Sequence, residues 1–364
     1  MSSRRQFIAA SGLAALPSLL PCTSQVSPSA PSPKPIRVGQ IGTKHGHASG
    51  KLGTVLKYPE VFEVVAWTEQ DAEQLAKVEN TAPFANVQRM SQADLLSQPD
   101  LDLVLIEGDI DELLPAARAC IDAGKHIHLD KPAGTKLAEF EAILKSAKQK
   151  QLLVQLGYMY RSNPAFQLMY EAVADGLLGE VFEVHAVMSK KINAAARKPL
   201  ARYRGGSMFE LGCHLIDSLI ILMGKPDRIH AMHRQVGDDG LYDNCLALFE
   251  YPKATATVRS SLVEVDGFRR RHFVVCGTKG TLHIEPLDNP KITLTLEESQ
   301  QSKSGREFNK GTEQFTLPKS PGRYDGDLLA LAASIRGESV YPYDYNHDLL
   351  VQQCLLQACD MPLE

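Results

Sequence analysis

From residue 36 to residue 156, short apolar runs alternate with longer stretches of helical periodicity. Strands that arrive one at a time with a helix between them cannot form hairpins. They pair in parallel, with helices covering both faces of the sheet. The predicted strands are 36–41, 63–68, 101–107, 126–129 and 152–156. The predicted helices are 48–57, 71–78, 112–123 and 137–148, with Gly124 as a C-terminal stop. Beyond Gly157 the texture changes. Helices are expected at 163–175 and 213–223, while strand-like runs at 181–188, 247–251, 255–261 and 273–276 come without regular helical spacers. The fold class expected is α/β: a parallel, helix-covered N-terminal domain over 36–155, then an α+β domain over 156–364 with an open, mostly antiparallel sheet.

The chain of 364 residues is too long for one ordinary core, and 44% hydrophobic with 23% charged residues is a globular balance. A formal net charge of −4 leaves no cationic excess for a phosphate backbone, which argues against nucleic acid as a partner. The seven cysteines are scattered with no C-x-x-C pair, so they read as small buried hydrophobes rather than a zinc knuckle or disulfide framework. The first 35 residues read as export signal and linker. Arg4 and Arg5 precede Phe7 and a modest apolar run, which suits a twin-arginine signal and a periplasmic or otherwise exported destination. That run is too short for a permanent membrane span. Cys22 offers a second reading, a lipid anchor, although Pro21 stands where a small residue is expected. The Ser/Pro-rich stretch at 24–35 buries too little to fold and serves as a tether.

Three constellations carry chemistry. The first is the turn Gly42-Thr43-Lys44-His45-Gly46-His47 after the first strand, where a Rossmann domain holds the pyrophosphate of a dinucleotide on backbone N–H groups and a helix N-terminus. Gly42 fits, but Lys44 and His47 replace the later glycines of G-x-G-x-x-G, and Lys44 either adds charge to a phosphate or obstructs it. Glu69 follows the second strand, where a carboxylate accepts from ribose hydroxyls and repels a 2′-phosphate, favouring NAD over NADP. The second is Asp130-Lys131-Pro132 at the end of a strand, where partial burial can lower the lysine pKa for work on a substrate hydroxyl. In the third, Glu210, His214 and Asp217 share one helix face, a carboxylate-partnered histidine suited to proton transfer. The H-x-H pairs His45/His47 and His126/His128 lack a supporting Cys or carboxylate cluster, so no metal is expected.

The order of these segments, with Tyr158-Met159-Tyr160-Arg161 and Gly205-Gly206 between them, resembles the glucose–fructose oxidoreductase and inositol dehydrogenase family, Gfo/Idh/MocA. The resemblance implies a Rossmann domain followed by a domain with an open antiparallel sheet. It makes Lys131, His214 and Glu210 catalytic, with Glu210 where an Asp is usual. Cofactor contacts are expected from Gly42, Thr43, Lys44, His45, Glu69, Glu107, Lys131 and Pro132, and substrate contacts from Tyr160, Arg161 and Asp217. The activity implied is NAD-dependent hydride transfer on a sugar, polyol or related polyhydroxylated molecule, in a homodimer or homotetramer. Two other readings stay open: a glycosidase or lyase that recycles tightly held NAD through oxidation, elimination and re-reduction, and a non-catalytic sugar-binding protein with a decayed site.

Overall fold

A computed structural model describes residues 34–288, 291–318 and 322–363. The twin-arginine segment, Cys22 and the tether up to residue 33 lie outside the described residues. The described residues from 35 onward form one compact unit. Five strands, β1 (Ile36–Ile41), β2 (Phe62–Thr68), β3 (Leu103–Ile106), β4 (His126–Leu129) and β5 (Val154–Leu156), make a sheet in the order β2-β1-β3-β4-β5, and every pairing in it is parallel. All four residues of β3 are buried, the continuous apolar run that a sheet covered on both faces requires. The covering helices are α1 (Ala48–Lys57), α2 (Ala72–Val78), α3 (Gln92–Leu96), α4 (Ile110–Asp122) and α5 (Leu137–Gln149).

Strand order reverses between β1 and β3, and there a crevice opens at the carboxyl ends of the strands. Register decides which residues rim it. Ile41 pairs with Ile106, Ile106 with Leu129, and Leu129 with Leu156. The next residue of each strand, Gly42, Glu107, Asp130 and Gly157, therefore stands in one row along the sheet's upper edge.

The chain then runs through α6 (Pro164–Ala174), β6 (Val181–Ser189), α7 (Ala194–Leu200) and α8 (Cys213–Met223) into the strands β7 (Arg228–Arg234), β8 (Asn244–Glu250), β9 (Thr255–Ser261), β10 (His272–Gly277), β11 (Gly280–Ile284) and β12 (Lys291–Leu296). A short ladder of β13 (Gln300–Gln301) with β14 (Glu307–Phe308) precedes β15 (Gly311–Thr316). The second sheet has the order β15-β12-β11-β10-β6-β9-β8-β7, antiparallel throughout except for the β6–β9 pair. One face is buried: Cys245, Ala247 and Phe249 alternate with half-buried neighbours along β8. Eight consecutive buried residues, 213–220, make α8 the central helix beneath that sheet.

Two helices close the chain, α9 (Asp325–Ile335) and α10 (Tyr345–Ala358). Sequence periodicity pointed to neither, nor to β7, where polar and apolar residues alternate at an edge, nor to the short β11. Leu328, Leu331 and Ala332 of α9 pack with Val38, Leu52, Trp67 and Leu105, so a segment from near the C-terminus completes the core around the first sheet. Lys57 and Tyr58 reinforce that contact by donating to Asp325 at 2.5 and 2.7 Å. Leu331 has no exposed surface. Leu331→Ala should cost about 2–5 kcal/mol of unfolding free energy in urea titrations, the range for a buried leucine truncated to leave a cavity.

Candidate active site

The turn after β1 is built around Gly42. Its φ is +85°, and a Cβ there would lie 2.6 Å from the amide nitrogen of Gly108, so the backbones of the two loops touch. Gly42 N–H donates to Thr68 O and His45 N–H to the carbonyl of Glu107, pinning the loop to β2 and β3. No acidic residue occupies the first turn of α1, and no side chain caps it. That leaves a positive helix end facing the crevice.

Glu69 is buried at the end of β2. It accepts from Thr43 N–H at 2.9 Å, Thr43 Oγ1 at 2.7 Å and Asp71 N–H at 2.9 Å. It lines a cavity of about 360 Å³ with Gly42, Gln70, Gly108, Asp111 and Glu112. Lys44 is not free for a phosphate in this arrangement. Its ammonium bridges Asp71 at 3.1 Å and Glu112 at 2.6 Å, joining the N-terminal ends of α2 and α4. These partners raise its pKa although burial opposes them.

Below the turn lies a buried ionic cluster. Lys51 of α1, fully enclosed, donates to Glu107 Oε1 at 2.7 Å and approaches Asp130 Oδ1 at 3.1 Å. Burial works against the charge on Asp130, yet Lys51 and His45 hold its carboxyl well below the usual range. Burial, with Asp130 beside it, pushes Glu107 well above that range. The expectation that Glu107 contacts cofactor is corrected: its carboxylate is buried against Lys51, and only its backbone carbonyl serves the turn. The imidazoles of His45 and His47 face Asp130. Burial lowers the His47 pKa to about 4.

Lys131 follows, joined to Pro132 by a cis peptide bond. Its ammonium is buried, donates to Glu210 O at 3.1 Å and lies 3.5 Å from Glu210 Oε2. Burial, the largest effect, would lower its pKa, as expected from the sequence, but Glu210, with Cys213 and Asp130 behind it, outweighs burial and the pKa rises. Lys131 is therefore a fixed cation rather than a tuned base. Glu210 belongs to a π-helical turn, Met208–Gly212, that runs directly into α8. Burial opposes its charge, but Lys131 and Lys190 keep it ionised. Lys190 stands 3.6 Å from the other carboxylate oxygen.

His214 is buried in the first turn of α8, its Nδ1 without a partner among the described residues. Tyr158 and Tyr160 meet the ring edge-on at 5.9 and 5.8 Å, and their buried hydroxyls also lack partners. Burial, reinforced by Lys131, drives the His214 pKa well below that of a free imidazole. The expected carboxylate partner is absent. Asp217 accepts instead from Arg161 Nη2 at 2.6 Å and Nε at 3.1 Å, with His347 Nε2 at 3.2 Å. Arg161 also binds Asp348 at 2.6 Å and stacks on Tyr343. Asp217 and Arg161, read as substrate contacts, are thus a saturated buried tie between α8, α10 and the segment before α6. Of the three expected substrate residues, only Tyr160 has a side-chain polar atom without a partner among the described residues, and its ring packs against that of His214.

Residues 36–158 match the model described as "Oxidoreductase family, NAD-binding Rossmann fold", and residues 166–283 match the GFO/IDH/MocA C-terminal domain. The chain belongs to the Gfo/Idh/MocA oxidoreductases. Among its relatives, the oxidoreductase YhhX of Escherichia coli K12 is 29% identical over 226 residues, which is 60% of this chain and 64% of YhhX, less than two thirds of that relative's length. The trans-1,2-dihydrobenzene-1,2-diol dehydrogenase of Mus musculus is 25% identical over 237 residues, 63% of this chain and 68% of that one. In fold, the chain is similar to the WlbA dehydrogenase of Bordetella pertussis in complex with NADH and UDP-GlcNAcA: TM-score 0.70 at 19% identity, covering 89% of this chain and 95% of that one.

For a Gfo/Idh/MocA chain the crevice suits a dinucleotide. Gly42, Gly108 and Glu69 line one cavity, and α1 begins a few residues after that turn without a side-chain cap. Sequence reasoning missed Lys51 and Lys190. A lysine one turn into an apolar helix carries no signal of burial until two strand ends bring carboxylates to it. Lys51→Met should remove about 3–5 kcal/mol of unfolding free energy, the cost of leaving the buried Asp130 carboxylate uncompensated, and Lys51→Met combined with Asp130→Asn should recover part of it in the same denaturation series.

Proposed function

We propose that this protein oxidises a secondary hydroxyl of a sugar, polyol or related polyhydroxylated molecule, with NAD as hydride acceptor. The observation that carries the reading is a buried imidazole, His214, whose Nδ1 has no partner among the described residues, in the same pocket as the buried ammonium of Lys131 that Glu210 holds. His214 takes the proton of the reacting hydroxyl. Lys131, held by Glu210, stabilises the negative charge that grows on that oxygen, and the hydroxyls of Tyr158 and Tyr160 are free to donate to or accept from the substrate. NAD, when bound, supplies the hydride acceptor at its nicotinamide ring. Gly42, Thr43 and the α1 N-terminus hold the pyrophosphate, and Glu69 takes the ribose hydroxyls. The carboxylates of Glu69, Asp111 and Glu112 around one cavity favour NAD over its 2′-phosphorylated form. A diol in the name of the mouse relative and a nucleotide-linked sugar in the Bordetella complex fit the same substrate class.

The same reading places the enzyme in the periplasm, through the twin-arginine segment and tether. It pairs subunits through the outward face of the second sheet, where Met232, Leu246 and Leu248 keep apolar surface half-open or exposed.

Nucleotide released by denaturing the purified protein should be NAD, and a sugar and polyol screen should produce NADH absorbance. Bound nucleotide without net NADH formation would instead favour the recycling lyase, and protein that neither carries nor takes up dinucleotide would sink the redox reading. His214→Ala should lower kcat by about 10²–10⁴ with little change in dinucleotide affinity. A base must be neutral to act, and burial holds His214 neutral to lower pH. The acid limb of kcat/KM should therefore have its midpoint below about 6.5, the free imidazole value, and vanish in His214→Ala.

A further inference from the structure

The H-x-H pair in the β1–α1 turn was set aside as a metal site because no carboxylate accompanies it in sequence. The fold supplies one. His45 and His47 stand two residues apart with rings edge to face at 4.4 Å, and one ligand atom from each lies within 4.8 Å of one from Asp130. His47 Nδ1 is 3.2 Å from Asp130 Oδ2 and 3.4 Å from Oδ1, and His45 Nδ1 contacts Oδ2 directly. Asp130 has no exposed surface, and Oδ2 receives no donor in hydrogen-bond geometry. Its other oxygen is occupied by Lys51 and by the backbone N–H of Lys131 at 2.8 Å. His45 Nδ1 also accepts from His47 N–H at 3.3 Å, which ties the two residues of the pair together beside Asp130. Two imidazole nitrogens and a buried carboxylate oxygen converging on one point are the donor set of a transition-metal site.

We propose that His45, His47 and Asp130 form a binding site for one divalent transition-metal ion. Two imidazole nitrogens and one carboxylate oxygen match Zn²⁺ and its neighbours Co²⁺ and Ni²⁺, whereas Mg²⁺ and Ca²⁺ require more oxygen ligands than the site contains. Three protein ligands leave a position open for water or a substrate oxygen, the pattern of exchangeable rather than closed structural sites. Both imidazole side chains are partly exposed, at 14% and 17%, so an ion can enter from the crevice. Lys51 acts from behind, orienting the carboxylate by its second oxygen. The proposal also accounts for His47 standing where the dinucleotide fingerprint has glycine, since there the position carries a ligand rather than an open backbone.

The test uses untagged protein stripped with a chelator, titrated with Zn²⁺ by calorimetry and with Co²⁺ by visible absorption. One equivalent should bind, with Co²⁺ giving the visible bands of a low-coordinate nitrogen/oxygen site. His45→Ala and His47→Ala should each weaken binding at least about 10-fold, while His230→Ala, a paired surface histidine, should leave it unchanged. Failure of wild type to take up either ion, or uptake indifferent to both turn histidines, would overturn the site. Should the alanine variants misfold, by circular dichroism, His47→Gln and the wild-type Co²⁺ spectrum decide alone. Dinucleotide binding measured on the metal-free protein separates this result from the redox reading, because either can fail while the other stands.

Discussion

The ammonium of Lys51 is the contact on which the site's construction rests. It lies enclosed between the carboxyl groups that follow β3 and β4, at 2.7 and 3.1 Å. Without it, two carboxyl groups in one dry pocket would repel, and one would have to keep a proton. Lys51 favours ionisation of both, yet burial and the neighbouring Asp130 leave Glu107 well above the usual carboxyl range while Asp130 lies well below it. Such a cluster is expensive to desolvate and adds little net stability, so its effect is to set position and charge rather than to hold the fold together. It ties α1 to two strand ends, which fixes where the β1 turn sits above them. Gly157 adjoins the same groups, and a Cβ there would lie 2.9 Å from Asp130 Oδ1 and 3.1 Å from Lys51 Nζ, so the neighbouring strand end is also fitted to the cluster.

From that base the pocket sorts its ionisable groups by environment. Lys131 and His214 are both buried, and desolvation pushes both toward neutrality. Lys131 has the carboxylate and carbonyl of Glu210 within reach and remains an ammonium. His214 has no anionic partner among the described residues and has that ammonium nearby, so burial and Lys131 both push its pKa well below the usual imidazole range. Opposite responses to the same burial would suit the proposed removal of a hydroxyl proton. The π-helical turn at Met208–Gly212 contributes by letting the Glu210 carbonyl and carboxylate both face Lys131 just before α8 begins.

Much of this was legible in the linear order of residues. Parallel strands with helices between them, the glycine turn, the Asp-Lys-Pro strand end and the α8 helix all appear at or near their expected places, because each is announced by local periodicity or by a residue with a unique backbone capability. The misreadings have a common cause. Asp217 and His214 share a helix face by spacing, yet Arg161 and His347, far away in sequence, capture the carboxylate. Burial was expected to lower the Lys131 pKa, but the opposing carboxylate comes from a turn 79 residues later. The carboxylate that the His45/His47 pair lacks in sequence, Asp130, stands 83 residues beyond His47. α9 was not expected because the residues it packs with, among them Val38, Leu52 and Leu105, lie far earlier in the chain.

By itself the sequence determined the local conformations: where the chain turns, where it runs straight through an apolar interior, and which side chains are chemically able to move a proton or hold a phosphate. Tertiary structure alone decided protonation and partnership, since these depend on the few ångströms between groups dozens of residues apart and on the water excluded around them. Electrostatic energy in a dry pocket varies steeply with separation, and no pattern along the chain encodes that separation.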